Sequence, residues 1–232
     1  MAVEITEAQI GKIVEQVLKN MPGATSAADT AKPDWDGTQY HGRTFTGIFT
    51  DMNTAIEATQ EGYKVLHNMT VAQREKIITE IRRLTRAEAH IMAELGVAET
   101  GMGRVEHKTA KHILVADKTP GTEDICPTVR TGDDGLTLVE MAPFGLVGSI
   151  TPSTNPSETV ICNSIGMIAA GNGVVFNPHP HAIATSNYAV DLVNRASKAA
   201  GGPEVLVCSM AKPTMESAAI MQSHPLIRLL VC

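Results

Sequence analysis

The chain has 232 residues, 43% hydrophobic and 19% charged, enough apolar material for a sizeable core in one large domain or two small ones. Its formal net charge of -6 argues against a nucleic-acid partner, because gripping phosphates needs a basic face. Aromatic residues make up only 3%, so an aliphatic core is expected, and neither a bilayer-spanning apolar run nor a secretory leader is present.

The first element in chain order is an amphipathic helix. Ile10, Ile13, Val14, Val17, Leu18 and Met21 recur at i, i+3, i+4, i+7, i+8 and i+11 and share one helical face. Thr6 with Gln9 forms a capping box, Ile5 with Ile10 a hydrophobic staple, and Pro22-Gly23 stops the helix. Residues 22–45 carry no periodicity and read as a flexible linker, in which Trp35 and Tyr40 stand out as residues that could pack on the body. Such a stripe usually docks on its own domain. A helix of this length on a tether is marginal alone, so the reading favoured here is a docking segment that lays its apolar face in another protein's groove. The polar face mixes acids with bases, which disfavours a membrane surface.

Order resumes near Phe45. Asp51 caps one helix, and Thr70 with Gln73 makes a capping box for a long one that Gly101 and Gly103 end. A further helix is expected over Val105 to Asp117. Thr128–Arg130 and Leu136–Met141 flank the turn cluster Thr131-Gly132-Asp133-Asp134-Gly135 and predict a hairpin. From Gly145 strands and helices alternate. Strands are expected at Leu146–Thr151, Val174–Asn177, Val205–Ser209 and Ile227–Val231, with helices at Ser157–Ala170, Ala182–Ala200 and Pro213–Gln222. This pattern predicts an α/β domain on a parallel sheet, whose ligands bind at the carboxyl ends of the strands.

Two strand ends carry candidate chemistry. After the first comes Thr151-Pro152-Ser153-Thr154-Asn155-Pro156. Asn155 has two readings that the residues leave open: an N-cap ahead of a proline at the first helical position, or an amide donor to a developing oxyanion. After the second comes Asn177-Pro178-His179-Pro180-His181, where His179 would face the strand-end crevice and suits a nucleotide contact. No carboxylate or cysteine accompanies the two histidines, so no metal is expected. Neither a G-x-G-x-x-G nor a Walker loop is present. Cys126, Cys162, Cys208 and Cys232 are far apart and suggest neither zinc nor disulfides, as fits a reducing cytoplasm. Cys162 and Cys208 lie in apolar runs and are expected to be buried.

The run Thr151 to Pro156, together with Ala169-Ala170-Gly171-Asn172, Pro178-His179-Pro180, Gly201-Gly202-Pro203-Glu204 and Glu99-Thr100-Gly101-Met102-Gly103-Arg104-Val105-Glu106, resembles the CoA-acylating aldehyde dehydrogenases. The likeness covers Phe45 to Cys232 and leans toward the enzymes of ethanolamine- and propanediol-utilisation microcompartments. The aldehyde dehydrogenase half of bifunctional aldehyde–alcohol dehydrogenases is the runner-up. The resemblance implies an incomplete Rossmann-type sheet over residues 46–232, preceded by helices and a hairpin. It implies conversion of a short-chain aldehyde, NAD and coenzyme A to acyl-CoA and NADH, through a cysteine thioester. It assigns Asn155 to oxyanion stabilisation, and Thr151, Pro152, Ser153, Pro178, His179, Gly202 and Pro203 to the cofactor. It makes residues 1–21 an encapsulation signal for a shell or scaffold protein inside a microcompartment, and it suggests a homo-oligomer. The family nucleophile lies downstream of Cys232 and none of the four cysteines stands in its context, so Met1–Cys232 alone is expected to be inactive. A nucleotide-binding fragment or a shell-docking fragment are the competing readings.

Overall fold

A computed structural model describes residues 37–232; the expected docking helix, Trp35 and most of the expected linker lie outside the described residues. The last part of that linker is a correction. Gln39–Tyr40 (β1) and Arg43–Thr44 (β2) pair as a short antiparallel ribbon built into the domain. Tyr40 meets the Tyr188 ring edge-on with centroids 5.3 Å apart, Arg43 pairs with the buried Asp191 at 3.1 Å, and the Gly37 carbonyl accepts from Asn187 Nδ2 at 2.8 Å. These anchors are long-range, so a local reading of Gly, Thr and Asp could not find them.

Ile48–Phe49 (β3) leads to Met52–His67 (α1), capped by Asp51, whose carboxylate accepts from the Thr54 amide at 2.8 Å. Val71–Thr100 (α2) begins with the Thr70/Gln73 capping box in both directions. It ends on Gly101 at φ 68°, a left-handed residue that glycine adopts without steric cost. Val105–Lys118 (α3) follows, then a single 3-10 turn. Thr128–Gly132 (β4) and Gly135–Val139 (β5) form the expected hairpin, exposed along its whole length.

The remaining elements alternate as expected. They are Leu146–Thr151 (β6), Pro156–Ala169 (α4), Gly173–Pro178 (β7), Ile183–Ala199 (α5), Val207–Met210 (β8), Met215–Ser223 (α6) and Ile227–Val231 (β9). The five-stranded sheet has the order β3-β8-β7-β6-β9, with every pair parallel. The domain is thus α/β, with the sheet filled by the aliphatic side chains that the composition requires.

Successive strand residues face opposite layers. Val174, Phe176 and Val207 join α2, α4 and α5 on one face, through Ile77, Ile81, Ile161, Ile165 and Val193. Val175, Cys208 and Leu146 join α1 and α6 on the other, through Met52, Ile56 and Met221. Helix α1 lies very close to the chain entering β8: a Cβ on Gly62 would stand 1.9 Å from the Val205 carbonyl oxygen, so this crossing admits no side chain. Cys208 is buried as expected, but Cys162, on α4, is exposed. Among the described residues no helix is long and apolar enough to cross a membrane.

Candidate active site

The register pairs Thr151 of β6 with Pro178 of β7, so both chemically suggestive loops leave the same, carboxyl edge of the sheet. The first loop drops into α4, with Pro156 at its first turn. Asn155 makes no side-chain cap hydrogen bond, which corrects the capping reading. Its Oδ1 instead accepts from Lys111 Nζ of α3 at 2.6 Å. An ammonium carries only donors, so this contact decides which amide atom faces α3 and leaves the NH2 group on the other side.

One turn earlier on α3, Lys108 Nζ donates to the Thr154 carbonyl at 3.0 Å and stands 3.6 Å from Glu158 Oε1. Lys108 and Glu158 are both about 5% exposed, so each charge is held in place by the other, out of water. Glu158 Oε1 has no hydrogen-bond donor. His112 fills the space below. Its Nδ1 lies 2.7 Å from the Lys108 carbonyl, an acceptor, so Nδ1 carries a proton, and Nε2 lies 2.7 Å from Ser157 Oγ. Burial holds the His112 pKa below its ordinary value, against the pull of the Glu158 carboxylate. The neutral ring then presents Nε2 as an acceptor to the Ser157 hydroxyl, which also lies within donating distance of Glu158 Oε2, at 3.3 Å. Two lysines, a histidine, a serine and a glutamate thus fasten the segment Thr154–Glu158 to α3.

A groove of about 380 Å³ runs between α3 and α4, lined by Lys111, Leu114, Val115, Asn155, Cys162 and Asn163 among others. On the α3 side Leu114 and Val115 are apolar and Lys111 is charged, and Asn155 is part of the α4-side lining. At the end of β6, Thr151 Oγ1 is buried and, among the described residues, has no hydrogen-bond partner. Pro152 is exposed and Ser153 half-buried on the same loop.

The second loop is set differently. Asn177 Oδ1 accepts from Ser217 Oγ at 2.8 Å, tying β7 to the first turn of α6, and Pro178 is buried. His179 is half-buried; its Nδ1 accepts from the His181 amide at 3.1 Å, and the two rings meet edge-on. The start of α5 already holds an anion. Glu99, from the end of α2, accepts from the Ala184 and Thr185 amides at 2.8 Å each and from Thr185 Oγ1 at 2.6 Å. A phosphate has no room on those donors.

Gly202 and Pro203 do not join the site, which corrects their assignment to the cofactor. They lie in the connection from α5 to β8, at the amino edge of the sheet, while Thr151 and Pro178 lie at the carboxyl edge. There the Pro203 carbonyl accepts from Ser197 Oγ at 2.7 Å and closes the end of α5. Among the cysteines, burial pushes the Cys208 thiol up to about 12, which makes it inert. Among the described residues no cluster of His, Cys, Asp and Glu has the makings of a metal site.

Lys108, Lys111, His112 and Glu158 were missed in the sequence reading. Their signal was present: Lys108, Lys111 and His112 stand at i, i+3 and i+4, one face of α3. Alone, that spacing reads as an ordinary solvated face. Only the packing of α4 against it shows otherwise.

A profile of the aldehyde dehydrogenase family matches residues 46–232. The chain belongs to the aldehyde dehydrogenase family. Acetaldehyde dehydrogenase (acetylating) of Bilophila wadsworthia is 42% identical over 232 residues, covering 98% of this chain and 46% of its own. Two solved structures share the fold. The propionaldehyde dehydrogenase from the Clostridium phytofermentans fucose utilisation bacterial microcompartment is 60% identical with a TM-score of 0.78, over 80% of this chain and 42% of that one. The Rhodopseudomonas palustris propionaldehyde dehydrogenase with bound propionyl-CoA is 44% identical with a TM-score of 0.77, over 79% and 41%. The chain therefore spans a little under half the length of these relatives, and within the aldehyde dehydrogenases its similarity is to CoA-acylating members.

Proposed function

We propose that this chain forms the cofactor-side part of an enzyme that oxidises a short-chain aldehyde to an acyl-CoA. The observation that carries the reading is the Asn155 amide, which lines the groove between α3 and α4 with its Oδ1 taken by Lys111 and, among the described residues, no partner on its NH2 group. An aldehyde oxygen that becomes negatively charged on nucleophilic attack needs such a donor. The apolar wall of Leu114 and Val115 suits a short alkyl chain. Cys208 is buried with its thiol pushed up to about 12, so it is not the attacking thiolate.

The residues at the carboxyl edge fit a dinucleotide of the NAD type. The orphaned Thr151 Oγ1 is a buried polar atom in want of a partner, with Pro152, Ser153, Pro178 and His179 around the same strand ends. When bound, NAD supplies the hydride acceptor and coenzyme A supplies the thiol that carries away the acyl group. The chain's own part is to line the crevice, present the Asn155 donor and keep phosphates off the start of α5, where Glu99 already sits.

The exposed apolar side chains of the hairpin, Leu136, Leu138, Val139 and Met141, support a homo-oligomer assembled through it. The apolar stripe of residues 1–21, with the microcompartment source of the Clostridium relative, supports a docking segment for a shell or scaffold protein. A reporter fused to residues 1–21 is expected to enter microcompartments, and to stay diffuse when Ile13 and Val17 become Asp. A diffuse wild-type fusion overturns that part.

The central test is Asn155→Ala in the full-length enzyme, with propionaldehyde, NAD and coenzyme A. Loss of one oxyanion donor is expected to lower kcat by about 10²-fold. An unchanged kcat removes Asn155 from the chemistry.

A further inference from the structure

We infer that Lys111 is a positioning residue for the reaction: it holds the Asn155 side-chain amide in the one orientation that can stabilise an oxyanion. This rests on the role proposed above for Asn155 and deepens it.

A terminal amide has two faces of opposite use. Rotation by half a turn about its broad last torsion exchanges NH2 for the carbonyl oxygen. With NH2 toward the groove it donates to a developing negative charge; with the oxygen there it repels it. Nothing in the backbone decides between the two, because Asn155 makes no cap hydrogen bond to the first turn of α4. Among the described residues the one side-chain contact that decides is Lys111 Nζ, at 2.6 Å from Oδ1. Its three N–H groups accept nothing, so the flipped amide would set donor against donor.

The frame around this contact keeps it in register. Lys108, one turn away on the same face of α3, holds the carbonyl of Thr154, the residue immediately before Asn155. Glu158 lies 3.6 Å from Lys108 and offsets that charge. Among the described residues no carboxylate forms a salt bridge with Lys111, so its charge is directed at the amide oxygen. A cation on the oxygen draws electron density from the nitrogen and strengthens the N–H donors on the far side. Lys111 also lines the groove while remaining exposed at its rim, so its replacement leaves the core untouched.

The test uses the full-length enzyme with Lys111→Met, Lys111→Arg, Asn155→Ala and the Lys111→Met/Asn155→Ala double variant. Lys111→Met keeps the aliphatic stem and removes the donor. It is expected to lower kcat about tenfold, less than loss of Asn155 itself, with KM for the aldehyde nearly unchanged. Lys111→Arg restores a donor cation and is expected to recover most of kcat. In the double variant, Lys111→Met adds nothing to the loss already caused by Asn155→Ala, because its action runs through that amide. The inference is overturned if Lys111→Met keeps wild-type kcat while Asn155→Ala loses it, or if the two losses multiply. It is also overturned if Lys111→Arg is as slow as Lys111→Met. Should Asn155→Ala itself keep wild-type kcat, the Asn155 reading falls first, and this result is distinct from the other three.

Discussion

Two helices, α4 and α5, begin at the same edge of the same sheet, and their first turns are finished in opposite ways. At α5, Glu99 reaches over from α2 and takes two backbone amides and a hydroxyl with good geometry. The positive end of the helix is matched and its donors are used up. At α4 the carboxylate is the helix's own Glu158, buried beside Lys108 with one oxygen lacking a donor, while Asn155 declines the cap and keeps its NH2 free. The first arrangement anchors the helix. The second leaves donors and charge unspent next to a groove. Where polar groups are buried yet unsatisfied, chemistry is the more economical explanation than stability.

The comparison can be broken first at its most strained point. Lys108→Met in the full-length enzyme leaves Glu158 buried without its counter-charge, and a loss of about 3–5 kcal/mol is expected in denaturant unfolding. Adding Glu158→Gln is expected to recover much of it; no recovery would mean that Lys108 acts through packing and the Thr154 carbonyl alone. Asn155→Ala comes next. Its expected cost in kcat is large, yet its cost in stability is below about 0.5 kcal/mol, since no cap is lost. A drop near 1 kcal/mol would restore the capping role.

Glu99→Ala should show the reverse pattern. Removing a charged acceptor from three donors at a helix start is expected to cost about 1.5–3 kcal/mol. Aldehyde turnover of the folded enzyme at a temperature well below Tm should hardly change, and a fall in kcat as deep as that of Asn155→Ala would erase the distinction between the two helix starts.

The gentlest test is a pH slope. Burial lowers the folded pKa of His112 below 6.5, with Lys108, Lys111, Glu158 and Ser157 around the ring. The unfolded chain then binds the proton more readily, so this residue's contribution to stability is intact above 6.5 and is lost as pH falls through that value toward the folded pKa. Tm measured from neutral pH downward is expected to fall more steeply for the wild type than for His112→Asn. Parallel curves would show that folding leaves the His112 pKa unshifted, and a steeper variant that folding raises it.

Much of the architecture was legible because it is local. The apolar runs at Leu146, Val174 and Ile227, the glycines after α2 and α4 and the Thr70/Gln73 box each act through neighbours within a turn or a strand. β3 escaped notice since two residues, Ile48 and Phe49, carry no period; their place at the sheet edge comes from pairing with Ser209 and Met210. The ribbon at Gln39–Thr44 was read as linker for the same reason, its anchors lying near residue 190. Gly202 and Pro203 matched a motif, but a motif does not say which end of a strand its loop occupies; the direction of β8 does.

By itself the sequence determined the alternation of strand and helix, the aliphatic core, the hairpin and the two polar strand ends, since hydrophobic period and turn chemistry are written residue by residue. Tertiary structure alone decided which face of α3 meets α4, and with it the whole setting of Asn155: the amide's orientation, the buried Lys108–Glu158 pair and the neutral His112. The physical reason is that hydrogen bonds and charge pairs across 44 to 50 positions of chain, such as Lys111 to Asn155 and Lys108 to Glu158, have no local signature, and their strength depends on the water that packing removes.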